Sequence, residues 1–104
     1  MLNSKKYEKD TIVSFKVVNG DEIIAKIVEE NDQGFVLSKP CTVMPSQQGI
    51  GLIQSLFTGD LENSSVTLNR SHVIIHAQAI KDIENHYLKT TTGIEPVSAG
   101  GIVT

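Results

Sequence analysis

Val13-Ser14-Phe15-Lys16-Val17-Val18-Asn19-Gly20-Asp21-Glu22-Ile23-Ile24-Ala25-Lys26-Ile27-Val28 is the stretch whose reading decides the fold. Val13, Phe15 and Val17 alternate with Ser14, Lys16 and Val18, a period of two that places apolar side chains on one face of a strand. Asn19-Gly20 then turns the chain. Both residues tolerate positive φ, so the pair predicts a two-residue type I′ hairpin. The returning strand, Glu22 to Glu30, sets Ile23, Ala25 and Ile27 on one face and Ile24, Lys26 and Val28 on the other. Neither face is cleanly polar, which predicts burial on both sides. A strand of that kind belongs in a closed or strongly curved sheet, or packs against another subunit.

Outward from this hairpin, the composition sets limits. A chain of 104 residues is one domain, near the size where oligomerisation adds useful burial. It is 39% apolar and 20% charged, the composition of an ordinary globular protein. A formal net charge of −3 supplies no general attraction for nucleic acid, so any such binding needs a local patch. The single Cys41 cannot close an intrachain disulfide and reads as a small apolar residue. With no signal peptide and no apolar run long enough for a bilayer, the expected location is cytoplasmic and no membrane partner is expected.

Residues 1–10 carry Lys5, Lys6 and Lys9 around Tyr7 and read as a frayed arm or one helical turn. That arm either contacts phosphate or is merely solvated. Beyond the hairpin, Glu29 to Gly34 is a polar turn leading into a third strand, Phe35 to Met44. There Pro40, which has no N–H for a ladder, marks an edge, a bulge or a bend. Pro45 to Gly51 has loop composition. The apolar octet Ile50 to Phe57 reads as a strand, although Leu52, Ile53, Leu56 and Phe57 also fit a helical face, and is either core or a surface for a neighbouring subunit or a membrane. Turn residues at Thr58-Gly59-Asp60 and Asn63-Ser64 precede two β-branched strands, Ser65 to Asn69 and His72 to Ala77, broken by Arg70-Ser71. Ile80, Ile83, Tyr87 and Leu88 share one face of a short helix over 80–89. Residues 90–104 form a tail of Thr, Gly and small residues. Such a composition is ordinarily disordered, and a neighbouring subunit is the natural candidate to pin it.

The whole is predicted to be mainly β: a small, strongly bent, five-stranded antiparallel open barrel over 11–79 with a short C-terminal helix. No enzyme is expected. No Ser/His/Asp or Cys/His spacing, carboxylate pair or glycine-rich phosphate loop is present. His72 and His76, read on one strand, lie about 13 Å apart at ~3.3 Å per residue, too far to chelate one ion. Neither metal nor cofactor is expected.

Open barrels of this size are shared by SH3-like, OB and Sm-like proteins, and two segments resemble the Sm/LSm family, which includes bacterial Hfq. Val17-Val18-Asn19-Gly20, followed by Ala25 and Ile27, is similar to its first motif, with Ala25 where the family has a glycine that lets strand two bend. Leu68-Asn69-Arg70-Ser71-His72-Val73-Ile74-Ile75 is similar to the second. The whole chain resembles small Sm-like proteins encoded by tailed phages, many from cyanobacterial hosts. The shared features are Gly20 to Lys26, Lys39-Pro40, the apolar octet, Leu68 to Ile75 and Tyr87…Thr92-Gly93-Ile94.

The resemblance implies a homo-oligomeric ring, a pentamer to a heptamer, closed by pairing of edge strands, working in the cytoplasm of the host cell if phage-encoded. It further implies binding of single-stranded RNA, with bases on the loop after strand two and phosphates on the basic residue of the second motif. Residue by residue, Asn31, Gln33, Asn69 and Arg70 are the candidate RNA contacts. The family's Arg-Gly is replaced by Asn69-Arg70, which in a strand would aim the cation at the other face. The loop also lacks an aromatic, and Glu29, Glu30 and Asp32 would repel phosphate. Two alternatives therefore stand beside the RNA-binding ring: an oligomeric assembly or scaffold module that has lost RNA binding, and a monomeric SH3-like module.

Overall fold

The computed structural model describes residues 6–92. Six strands form one antiparallel sheet: β1 (Ile12–Val17), β2 (Glu22–Asn31), β3 (Gly34–Ser46), β4 (Gly49–Gln54), β5 (Val66–Asn69) and β6 (Val73–Gln78). A 3-10 turn, Arg70–His72, joins β5 to β6, and a helix, α1 (Lys81–Thr92), ends the described chain. The mainly β architecture agrees with expectation, with six strands where a five-stranded barrel was expected; the apolar octet is a strand, as expected, only over Ile50 to Gln54, and Ser55 to Phe57 lie outside it.

The sheet has to curl, and the chain shows why. The order β4-β3-β2-β1-β6, with β5 also on β3, puts β5 and β6 on opposite sides of the three central strands. In a flat sheet they would stand about 19 Å apart, four spacings of ~4.8 Å. From Asn69 to Val73 the chain spans at most about 14 Å when extended, and about 8 Å as a 3-10 turn. Only a sheet rolled on itself brings the two ends within reach. β5 and β6 share no ladder, so the sheet stays open.

Bulges supply the bend. Ile24 pairs with Cys41 and Lys26 with Ser38, so the two residues Lys39 and Pro40 oppose the single Ala25. Lys39 there takes φ 51°. Its left-handed conformation and the missing Pro40 N–H together break β3 into two arms. One arm, Gly34 to Leu37, carries β5; the other, Cys41 to Ser46, carries β4. Pro45 and Gly51 thus belong to a hairpin rather than to the expected loop, with Pro45 opposite Ile50.

The turn at Asn19-Gly20 also differs from expectation. Only Gly20 has positive φ, 94°. Gly20 N–H donates to the Val17 carbonyl at 2.8 Å and Val17 N–H to that of Asp21 at 3.0 Å, a type I turn closed by a glycine bulge. Asn19 contributes its side chain, whose Oδ1 accepts from Asp21 N–H at 3.0 Å.

The double apolar character of β2 resolves into two cores. Val13, Phe15, Val17, Ala25, Ile27, Phe35 and Leu37 fill the inside of the curl. Ile12, Ile24, Cys41 and Tyr87 form a second core on the other face, with Ile83 and Leu88 packed against it. α1 covers that face through Tyr87, whose hydroxyl is shared between the Ser38 and Lys39 carbonyls at 3.0 Å each. The helix runs three residues past its expected end at 89, taking Thr90 to Thr92 from the expected tail. Ile80 lies just before it, exposed rather than on its buried face. The remainder of the tail, 93–104, with the proposal that a neighbour pins it, lies outside the described residues. Among the described residues, no helix is long and apolar enough to cross a membrane.

Candidate nucleic-acid interface

The four expected RNA contacts converge at one corner, where the β2–β3 turn meets the end of β5. Gly34 pairs with Asn69 across β3 and β5, and Arg70 N–H donates to the Gln33 carbonyl at 2.8 Å. This close approach requires Gly34. A Cβ there would overlap the Leu68 carbonyl oxygen and stand 2.7 Å from Arg70 N.

Within the corner most of these side chains are already engaged. Asn31 Oδ1 accepts from the N–H groups of Gln33 at 2.9 Å and Gly34 at 3.1 Å, while its amide donates to Glu29 at 3.2 Å. Asn69 Oδ1 accepts from Ser71 N–H at 3.0 Å and from its hydroxyl at 2.8 Å, capping the 3-10 turn. Arg70 donates to Glu30 Oε2 at 3.1 Å and to the Asn31 carbonyl at 2.9 Å. Gln33 alone of the four has a side chain with no hydrogen bond among the described residues.

Arg70 lies in the 3-10 turn, so strand parity does not decide its direction. Its guanidinium carbon sits 5.0 Å from the Phe35 ring centroid, a cation–π contact. Glu30 is the hub. Its Oε2 holds Arg70 and its Oε1 accepts from Tyr7 N–H at 3.3 Å.

Tyr7 is the residue that sequence reading missed. Instead of fraying or forming a helical turn, the described part of the arm lays Tyr7 against the inner core. The Tyr7 hydroxyl is 2.6 Å from His76 Nδ1, and its ring centroid is 5.4 Å from that of His76. His76 stands 5.2 Å from Phe35, which meets Phe15 at 4.9 Å. Burial and, secondarily, the Glu30 carboxylate raise the Tyr7 pKa, so the phenol keeps its proton. Lys5, the first of the arm's lysines, lies outside the described residues. Two aromatic rings, one from the arm and one from β6, thus meet although they lie some seventy residues apart in sequence. The only local signal was an aromatic among lysines.

His72 sits in the 3-10 turn and His76 in β6, so the expected single strand does not carry both. Among the described residues, no group of three or more His, Cys, Asp or Glu could hold a metal ion. Cys41 is buried, and burial raises its thiol pKa, which suits the apolar role expected of it.

One further feature concerns the sheet edge. Lys16 pairs with Ile75 and Val17 with Val73, which leaves Ile74 as an extra residue on β6. That bulge turns both isoleucines outward, each 63% exposed, on a strand whose other side has no ladder partner among the described residues. Comparison with known proteins finds no family model that matches the chain and no curated protein that matches it.

Proposed function

We propose that this chain is an Sm-like subunit that assembles into a ring through its free sheet edges and presents the Gln33–Arg70–Tyr7–His76 corner to single-stranded RNA. The observation that carries it is the β6 edge, which has no ladder partner among the described residues and has Ile74 and Ile75 exposed on it. An open backbone edge flanked by apolar side chains is a liability for a solitary protein and a joint for an oligomer. Heterologous edge-to-edge pairing generates a ring where the repeated rotation closes and an open filament where it does not, and the Sm-like reading calls for closure. Substituting both Ile74 and Ile75 by lysine is expected to convert the assembly to monomers at micromolar concentration, measured by light scattering. An unchanged mass would remove edge pairing.

At the corner, the exposed His76 and half-buried Tyr7 offer ring faces, Gln33 a free amide and Arg70 a partly exposed cation, the components by which single strands are bound. Stacking of one base on an aromatic is worth about 1–3 kcal/mol. Tyr7→Leu, which keeps apolar volume, is therefore expected to weaken oligouridine or oligoadenine binding by about tenfold at low salt, with the assembly intact. Equal affinity for the two proteins would exclude this corner.

A second reading, an assembly module without RNA binding, is favoured by the Arg70–Glu30 pair. A cation already held by a carboxylate is a poor phosphate ligand. Absence of RNA binding at low salt, with the ring retained, selects it.

A further inference from the structure

Seven of the nine exposed large apolar side chains among the described residues stand at the two ends of the strand order. Ile74 and Ile75 are on β6. Met44, Ile50, Ile53, Leu56 and Phe57 belong to β4, to the arm of β3 beside it or to the segment that follows it. This second group falls in an unbroken run, Pro40 to Gly59, without Asp, Glu, Lys or Arg, in a chain that is 20% charged. Apolar residues scattered singly need no explanation, but an uncharged patch of this extent marks a contact surface. Phe57, 74% exposed, is the barest of the nine.

The other end of the strand order carries a hollow. Phe15, Ile75, His76 and Ala77 form most of the wall of a shallow, mainly apolar cavity of about 190 Å³, and the exposed Lys16 and Glu22 border it. A cavity of roughly 150 Å³ takes a benzene ring, so this one has room for a phenylalanine side chain. β6 itself, Val73 to Gln78, carries no Asp, Glu, Lys or Arg. Knob and hole thus agree in size and in lack of charge. Phe57 does not line the cavity of its own chain, because β3, β2 and β1 lie between β4 and β6. A bare aromatic at one end of a sheet and a pocket that fits it at the other are the two halves of a contact between copies.

We propose that Phe57 of one copy seats in the β6 cavity of the next and anchors the joint between successive subunits. This rests on the edge-paired assembly proposed above and names the side chain that fixes it. The two surfaces differ, so the contact is heterologous: every copy offers one phenyl group and one cavity, the head-to-tail arrangement from which a ring is built. Ile75 supplies part of the wall, which gives the exposed β6 isoleucines a partner. His76, whose Nδ1 meets the Tyr7 hydroxyl, also lines the cavity, so the joint adjoins the corner.

The test places p-azidophenylalanine, which keeps the aromatic ring, at position 57 of the full chain. That protein is co-assembled with an isotope-labelled natural chain, irradiated and analysed by mass spectrometry, with light scattering on the same sample. Cross-links from position 57 to Phe15 or to Ile75, His76 or Ala77 of the labelled chain are the expected result. An assembled sample whose cross-links fall elsewhere, or only within one chain, overturns this contact and leaves edge pairing standing. A monomeric sample overturns both. Phe57→Ser supplies a second readout: since the side chain is exposed in the single copy, the far-ultraviolet circular dichroism spectrum should not change. The concentration at which the assembly half-dissociates is expected to rise at least about tenfold. An unchanged midpoint also overturns the proposal.

Discussion

Gly34→Ala is expected to cost more than about 3 kcal/mol and to lower the melting temperature by on the order of 15 °C. The added methyl has nowhere to go. It meets the Leu68 carbonyl and the Arg70 nitrogen, both backbone, and neither yields without opening the β3–β5 ladder. Gly34 also takes φ 153°, outside the range most side chains adopt. The corner would part, separating Arg70 from Gln33, so loss of the fold and loss of the site go together. Thermal unfolding followed by circular dichroism checks this. Gly20 serves as control: it too has positive φ, but open space surrounds its Cβ position, so Gly20→Ala should cost only about 1 kcal/mol. Equal small shifts for the two variants would show that the corner is not packed as described.

Tyr87→Ala is expected to cost about 4 kcal/mol, since it empties the centre of the second core and strips the Ser38 and Lys39 carbonyls of their donor. Tyr87→Phe keeps the ring and should cost only about 1–2 kcal/mol. The phenol also predicts an alkaline limb. Burial first, and the neighbouring Cys41 second, raise its pKa above the ordinary tyrosine range. The folded state therefore holds a proton that the unfolded chain releases near about pH 10. Its contribution is complete below that value and is lost as pH rises from there towards the folded pKa, by at most about 1.4 kcal/mol per pH unit. Urea titrations between pH 8 and 11 should show this decline in the natural chain and a flatter one in Tyr87→Phe. Parallel curves would mean that the phenol is not buried.

How far the sequence foretold these features depends on where each piece of information lay. The two cores were legible because β2 is apolar on both faces, and the structure sends Ala25 and Ile27 to one core and Ile24 to the other. Pro40 marked a bend, and the bulge opposite Ala25 is there. Pro45 was misread as loop because a proline in a hairpin is tolerated at positions that composition does not reveal. Asn19 suggested a primed turn, but one positive φ at Gly20 was enough.

The site was harder to read than the fold. Asn31, Gln33, Asn69 and Arg70 do meet, yet Asn31 and Asn69 are spent on turn and cap, and Arg70 on Glu30. Neither that ion pair, forty residues apart in sequence, nor the Tyr7–His76 contact has any periodic signature. Both depend on the curl, which joins segments only after the sheet has rolled.

The most direct measurement of the central proposal is the mass of the full chain in solution across a hundredfold range of concentration, by light scattering and native mass spectrometry. An edge-paired ring predicts one species of five to seven copies of the 11.3 kDa subunit, its mass insensitive to concentration. A particle of 11.3 kDa throughout would contradict it.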